Sequence, residues 1–69
     1  MADYPKPLST RSGCKVAWYT YATKAEAEAA AEVAVSEAIR KAALGYDFGW
    51  CSPGEVRGTD EHGWVVTVP

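Results

Sequence analysis

The first segment with a regular pattern of apolar side chains is CKVAWYTY, at residues 14–21. Its β-branched and aromatic residues and its short length predict a β-strand, in which successive side chains point to opposite faces of a sheet. We expect the face that carries Val16 and Trp18 to pack on the core. Tyr19 and Tyr21 would then point away from the core, on the other face of the sheet.

A helix is predicted to follow this strand directly. From Lys24 to Leu44 the chain contains no glycine or proline and consists mostly of alanine and glutamate, which are strong helix formers. Thr23 and Glu26 form the T-x-x-E pattern of a capping box, and Gly45 is placed to end the helix in a left-handed conformation. The pattern therefore predicts one helix of about five or six turns.

One stripe of this helix is almost entirely alanine when residues are placed 100° apart around its axis. Alanine contributes little apolar area, but it allows large side chains to approach closely and to fill the space at interior density. We therefore expect the stripe to pack against Trp18 and Trp64 of the strands. The stripe comprises Ala27, Ala31, Ala34, Ala38 and Ala42, and it is flanked by Val35 and Ile39.

The remainder of the chain reads as short strands separated by turns. Residues 46–51 alternate aromatic with small or polar side chains and are interpreted as a strand. Residues 52–55, SPGE, fit a type II turn. A short strand at 55–58, a polar hairpin loop at 59–63 and a last strand at 64–68 complete the pattern. In the last strand Trp64, Val66 and Val68 share one face.

The order of elements is thus β-α-β-(β)-β, which predicts an α+β fold. Because one helix covers only one face of a sheet, we expect a two-layer sandwich with the long helix packed on a mostly antiparallel sheet of three to four strands. The C-terminal strand is placed beside the first one. Residues 1–13, which include two prolines and a glycine, are interpreted as a flexible N-terminal arm, and residues 14–69 as a single domain.

Composition narrows the function classes. The 69-residue chain has a net charge of -2, which argues against nucleic-acid binding driven by phosphate neutralisation. The chain has neither the apolar core of a signal peptide nor the ~20 apolar residues of a membrane span, so a cytoplasmic protein is expected. Cys14 and Cys51 lack metal-site spacing and are expected to be free thiols, although a bridge between them stays open.

The sequence offers no catalytic motif. His62 lies in the loop sequence DEHG, where consecutive side chains diverge, so a solvated loop is expected rather than a metal ligand or general base. Asp47 and Glu55 lie near Cys51 in sequence and disfavour a reactive thiolate there. No nucleophile is paired with a base by motif. We therefore expect a protein without catalytic residues, metal or cofactor.

The most suggestive candidate for a binding surface is the second face of the first strand. Tyr19 and Tyr21 would be exposed there unless the N-terminal arm covers them through Tyr4 and Leu8, and both alternatives are open. Exposed aromatic patches mark interaction surfaces, and tyrosine and tryptophan dominate binding energies. The two tyrosines are therefore the first candidates for contacts with a protein partner.

Two further surfaces are candidates. Glu28 and Glu32 belong to an acidic helix surface, which is the second choice for contacts with a protein partner. A different class of function, small-molecule or nucleotide binding, would use Tyr46, Trp50 and Trp64 as stacking surfaces.

The segments WYTYAT…EAEAAAE and GYDFGWCSPG (residues 45–54) give a resemblance over residues 14–69. In them the chain resembles small accessory proteins encoded by bacteriophages of actinobacteria. The resemblance implies action on host factors or host defence, in the host cytoplasm, and it assigns no functional residue. Taken together, the sequence predicts a non-enzymatic protein that binds another protein. That partner is unidentified, and a second copy of the chain, forming a homodimer, is among the options.

Overall fold

The computed structural model describes residues 4–49 and 51–69, and within them it contains four strands and one helix. The strands form one antiparallel sheet in the order β1-β2-β4-β3, and α1 packs on one of its faces. The predicted two-layer α+β sandwich is confirmed, with the C-terminal strand beside the strand that precedes the helix. The elements are β1 (Ser9–Ser12), β2 (Ala17–Tyr21), α1 (Lys24–Ala43), β3 (Val56–Thr59) and β4 (Gly63–Val68).

Both ends of the helix are capped by local hydrogen bonds. At the start, the backbone N–H of Glu26 donates to Thr23 Oγ1 at 3.3 Å, and the Thr23 hydroxyl donates to the Glu26 carboxylate at 3.0 Å. The carboxylate thus accepts from the hydroxyl instead of the backbone N–H expected in a capping box. At the end, Gly45 has a φ of 91°, and the N–H groups of Gly45 and Tyr46 donate to carbonyls of the last turn. This is a Schellman motif, which ends the helix as predicted.

The core lies between the first half of α1 and the sheet face beneath it. Large side chains of β2 and β4 meet alanines of the helix, and Trp64 and Val56 pack at its margin. Small residues on the helix opposite large residues on the sheet is the complementarity expected from the sequence. The buried cluster consists of Tyr21, Ala27, Ala30, Ala34, Val66 and Val68, each at most 2% exposed.

The helix is rotated relative to the predicted stripe. Ala30 is fully buried, whereas Ala42 is exposed, and the flanking residues Val35 and Ile39 are 44% and 67% exposed. The buried positions all lie within the first eleven residues of α1. The reason is length, because a 20-residue helix spans about 30 Å while strands of four to six residues span about 20 Å or less.

Strand β2 presents to the helix the face opposite to the one predicted. Tyr21 is fully buried against the alanines, and Tyr19 packs beside it, whereas Trp18 lies on the other face of the sheet. Alternation divides a strand into two sets of residues but does not say which set is covered. Tyr21 can be buried because its hydroxyl donates to the carbonyl of Pro5 at 2.9 Å, which satisfies its polar end.

The strand predicted at residues 46–51 does not form at 46–49. The side chain of Asp47 accepts a hydrogen bond from the N–H of Gly49 at 2.8 Å, and the rings of Tyr46 and Phe48 lie 4.7 Å apart. These contacts within the segment make a loop that follows the helix. Trp50 of the predicted strand lies outside the described residues.

Strand β1 is an element that the sequence pattern did not predict. Its four residues, STRS, are all exposed and pair with β2, and the N–H of Leu8 donates to the carbonyl of Thr20 at 2.7 Å. Because a polar edge strand buries nothing, it shows no apolar alternation. Residues 9–12, assigned to the arm, therefore belong to the sheet.

The turn before β3 is built as predicted. The N–H of Glu55 donates to the carbonyl of Ser52 at 3.1 Å, and Gly54 has the φ of 91° that the third position of a type II turn requires. The N–H of Gly54 donates to the Thr67 carbonyl at 2.7 Å, and the N–H of Thr67 donates to the Glu55 carbonyl at 3.0 Å. Gly54 and Glu55 thus oppose Thr67 together, as in a β-bulge. The bulge brings Glu55 level with Thr67 on β4.

The hairpin between β3 and β4 also agrees with the prediction. Thr59 pairs with Gly63 and closes the polar loop, and the Thr59 side chain accepts the N–H of His62 at 3.1 Å. The indole N–H of Trp64 donates to Asp60 at 2.9 Å. Trp64 alternates with Val66 and Val68 on the helix side, as expected.

Candidate interaction surface

The helix covers one face of the sheet, and we call the opposite one the outer face. Trp18 lies half-buried at its centre, with Val65 beside it. All four strands contribute to it, together with the bulge before β3. Its side chains include those of Ser9, Arg11, Trp18, Thr20, Glu55, Arg57, Val65 and Thr67. Val16, which was expected to face the helix, lies on this face with Trp18 and is 5% exposed.

The strand register aligns four of these residues in one row across the sheet. Arg11 on β1 pairs with Trp18 on β2, and Trp18 pairs with Thr67 on β4. The bulge places Glu55 opposite Thr67. The row, which we call the Trp18 row, therefore carries a cation at one end, an indole near the middle and a carboxylate at the other end.

The indole of Trp18 lies directly over Gly13. A β-carbon at Gly13 would approach Trp18 Cζ3 to 2.7 Å, and the N–H of Gly13 donates to the Val16 carbonyl at 2.8 Å. The turn between β1 and β2 thus forms a flat seat for the ring. Because the seat needs the absence of a side chain, Gly13 fixes the orientation of Trp18 on the outer face.

Trp18 separates two grooves on the outer face. The β1-side groove, of about 480 Å³, runs between Trp18 and Arg11, and the β3-side groove, of about 400 Å³, lies between Trp18 and Glu55. Thr67 is buried in the β3-side groove, and Ser52 stands on its wall. The outer face is therefore a ridge with a groove on each side.

The outer face carries few charges, and two of them form an ion pair. Arg57 Nε lies 2.6 Å from Glu55 Oε1, and both side chains border the β3-side groove. Arg11 makes no salt bridge within residues 4–49 and 51–69. The β1 edge therefore carries an uncompensated positive charge, while the β3 side carries the only carboxylate that the described structure places on this face.

The two tyrosines proposed as a contact surface are covered. Tyr21 is fully buried, and Tyr19 is half-buried with the ring of Tyr4 packed edge-on against it at 5.3 Å. The Tyr4 hydroxyl donates to Glu37 on the helix, and Pro5 accepts from Tyr21. Of the two alternatives left by the sequence, the structure shows the one in which the N-terminal segment covers the tyrosines, so the expected exposed aromatic patch at these positions is wrong. The cover comes from Tyr4 and Pro5, whereas Leu8, the other residue expected to contribute, is 71% exposed.

The same contacts shift two proton equilibria. Burial, together with the hydrogen bond and the negative charge of Glu37, raises the pKa of Tyr4 far above its ordinary value. Burial also raises the pKa of Tyr21, with a smaller contribution from Tyr19 and Glu26. The native fold therefore holds both phenols in their neutral form.

The acidic helix surface is exposed but small. Glu28 and Glu32 are exposed, and Lys24 Nζ lies 3.9 Å from Glu28 Oε1. Glu37 is engaged by Tyr4. Because Glu28 has Lys24 nearby and Glu37 accepts from Tyr4, the negative electrostatic potential of this surface is weaker than the sequence suggests.

The residues proposed for ligand stacking are not brought together. Lys24 lies over the ring of Trp64 at 5.7 Å, and Lys41 lies over the ring of Tyr46 at 5.6 Å. These lysines are separated by about 25 Å of helix, so one small ligand cannot contact both rings. Trp50, the third proposed residue, lies outside the described part of the chain.

The residues considered for catalysis or metal binding do not form a cluster. His62 is exposed on the hairpin loop, and Cys14 and Cys51 are free thiols, the first exposed and the second half-buried. No group of three or more histidine, cysteine, aspartate or glutamate side chains suited to a metal ion occurs among the described residues. In the same part of the chain, no helix has both the length and the apolarity to cross a bilayer.

Part of the outer face could have been found from the sequence. Trp64, Val66 and Val68 were assigned to one face of β4, which places Val65 and Thr67 on the other. Combining that alternation with the opposite assignment of β2 would have brought these residues beside Trp18. Arg11 could not have been found, because β1 has no recognisable pattern. No protein-family model, curated protein or solved structure matches the chain.

Proposed function

We propose that this protein is a non-enzymatic protein-binding module and that the outer face is its contact surface. The observation that carries the proposal is a half-buried tryptophan at the centre of an uncovered sheet face, with a groove on each side. Tryptophan and arginine are the residue types most enriched where binding energy concentrates, particularly near the centre of an interface.

The arrangement of side chains on the outer face favours a macromolecular partner. Trp18 and Val65 form an apolar centre, and serine, threonine, arginine and glutamate side chains surround it. An apolar centre with a polar rim is the usual anatomy of a protein interface. The face also spans all four strands, which is more than a small ligand covers.

The resemblance to accessory proteins of actinobacteriophages extends the proposal to a host protein as partner, bound in the host cytoplasm. The exposed Glu28 and Glu32 offer a secondary contact on the opposite side of the molecule. In this proposal Tyr19 and Tyr21 support the fold and the outer face makes the contact.

A second candidate function is the binding of a small planar molecule or nucleotide. Its supporting observation is that the grooves, at about 400 and 480 Å³, fall within the size range of small-ligand sites. Trp18 would provide the stacking surface. Titration of tryptophan fluorescence with nucleotides and common metabolites tests this candidate, and a flat response in wild type counts against it. A response lost in Trp18→Phe would locate the ligand.

The main test compares protein capture by the immobilised wild type, Trp18→Ala and the matched control Ile39→Ala. Ile39 is 67% exposed on the helix, so its truncation removes an accessible apolar side chain far from the outer face. We expect wild type and Ile39→Ala to capture the same proteins and Trp18→Ala to lose at least about tenfold, which is 1.4 kcal/mol.

A second outer-face variant, Arg11→Glu, changes an exposed side chain and leaves the Trp18 ring in place. Reduced capture by both outer-face variants, with each folded by circular dichroism, supports the proposal. Equal capture by all four proteins would reject the outer face as the contact surface.

A further inference from the structure

We propose that the occupant of the outer face is a second copy of this chain, with the two sheets packed face to face around a two-fold axis. This inference rests on the proposed function, since it assigns a second copy, in place of a host protein, as the partner of the same surface. The axis runs parallel to the strands, midway between β2 and β4. Such isologous contacts are the commonest way in which identical chains associate.

The symmetry of the sheet leads to matched charges. Rotation about this axis lays β1 over β3 of the second copy and β2 over β4 of the second copy, because the strand order is β1-β2-β4-β3. Arg11 and Glu55 belong to the same row, so Arg11 of each chain comes to lie over Glu55 of the other. Each Glu55 would then lie between Arg57 of its own chain and Arg11 of the other, so the interface contains two symmetry-related groups of one carboxylate and two guanidinium side chains.

The shape of the outer face is complementary to itself under the same rotation. Trp18 lies over Thr67 of the second copy, and Thr67 is buried in the β3-side groove. The ridge of each chain thus enters the groove of the other, which at about 400 Å³ has room for an indole ring. Thr20 comes to lie over Val65, so β-branched side chains pack beside the ring at the usual sheet separation of about 10 Å.

The charge pattern distinguishes a second copy from an unrelated partner. Arg11 lacks a salt bridge in the described structure, and Glu55 keeps one carboxylate oxygen beyond the one that contacts Arg57. Self-association gives Arg11 its carboxylate without any other molecule. Small domains with a modest core also gain stability by oligomerising.

The expected dimer is a weak one. The four strands are four to six residues long and about 4.8 Å apart, so the face measures at most roughly 20 by 20 Å, or about 400 Å² per copy. The total of about 800 Å² lies below the roughly 1,200–2,000 Å² of stable specific interfaces, so a transient dimer is expected. Its assembly should weaken with added salt because the ion pairs lie near the rim.

The test is charge reversal at the two ends of the Trp18 row, measured by sedimentation velocity across a concentration series. Arg11→Glu and Glu55→Arg should each weaken self-association by at least about tenfold, because each homodimer then faces like charges. An equimolar mixture of the two variants should restore association to near wild type. In the mixed dimer, one chain presents only carboxylates and the other only guanidinium groups at these positions.

Arg40→Glu, at an exposed helix position away from the outer face, is the matched control and should leave association unchanged. A wild type that stays monomeric into the millimolar range overturns this inference. So does a dimer that ignores both reversals, or a mixture that fails to restore association. If the monomeric wild type still captures another protein in a Trp18-dependent way, the proposed function stands and only the second copy is rejected as its occupant.

Discussion

The two faces of the sheet have similar residues but different surroundings. The inner face places Tyr21, Val66 and Val68 against alanines, and these side chains are essentially inaccessible to solvent. The outer face places Trp18 and Val65 under no other element of the described structure. An aromatic ring flanked by valine therefore does not by itself identify a core. Two features distinguish the inner face: the small side chains of the helix that cover it, and the Pro5 carbonyl that accepts a hydrogen bond from the Tyr21 hydroxyl.

The largest expected contrast comes from truncating one ring on each face. Tyr21→Ala should destabilise the fold by about 3–5 kcal/mol, since it empties a fully buried site. Trp18→Ala should cost less, because the Trp18 ring keeps some solvent exposure whereas Tyr21 is fully buried. Urea unfolding of both variants measures the difference. Equal losses would mean that the outer face is as much a core as the inner one.

The close approach of the helix to the sheet is tested by enlarging a buried alanine of the helix. Ala34→Leu should destabilise by about 1–3 kcal/mol, because Ala34 is fully buried and the added atoms push the helix away from the sheet. Ala29→Leu, at an exposed position on the same helix, should be within about 0.5 kcal/mol of wild type. A neutral Ala34→Leu would show that close approach of helix and sheet is not required.

Tyr4, which packs against Tyr19, gives a pH-dependent prediction. Tyr4→Phe removes the hydrogen bond to Glu37 and should cost about 1 kcal/mol at neutral pH. Because the pKa of Tyr4 is raised in the fold, the unfolded chain loses this proton first, so stability is complete below about pH 10 and falls above it. Tyr4→Phe should make that alkaline loss shallower.

Thermal unfolding between pH 8 and pH 11 measures both effects of Tyr4→Phe. Tyr21 has a raised pKa as well and continues to contribute to the alkaline loss in this variant. Lys6→Gln, an exposed nearby change, serves as the control for general charge effects. An unchanged alkaline slope in Tyr4→Phe would contradict the assignment of the raised pKa to Tyr4.

The smallest expected effect on stability comes from substituting Gly13, the residue on which the Trp18 indole lies. Gly13→Ala places a methyl group 2.7 Å from the Trp18 ring and should tilt the indole at a cost of about 1 kcal/mol or less. Tryptophan emission should shift, and self-association should weaken several-fold while the fold persists. Ser12→Ala, one residue earlier, is the control. Unaltered association in Gly13→Ala would show that the orientation of Trp18 is irrelevant to the contact.

The sequence predicted the elements whose ends are fixed by hydrogen bonds between residues close in the chain. Thr23 with Glu26, and Gly45 after the last turn, determine the helix through contacts within a few residues, and the 59–63 loop is similarly local. Such signals survive in any tertiary context because their hydrogen bonds are made within the segment. The fold class followed from the order of these elements.

The assignment of faces could not be derived in the same way. Whether Trp18 or Tyr21 is covered depends on Pro5 and on helix alanines, which are distant in sequence, and alternation is unchanged when a strand is turned over. Strand β1 gave no signal because it is polar on both sides, so the row that joins Arg11 to Glu55 became visible only through the register. The candidate surface therefore depended on long-range pairing that sequence pattern alone does not encode.

The helix extends beyond the sheet, and this has a consequence for local opening. Its buried alanines end at Ala34, whereas the two turns before Gly45 rest largely on their own hydrogen bonds and the Schellman motif. Amides near the end of α1 should therefore exchange with solvent deuterium through fraying. Those around Ala30 should exchange only when the whole domain unfolds.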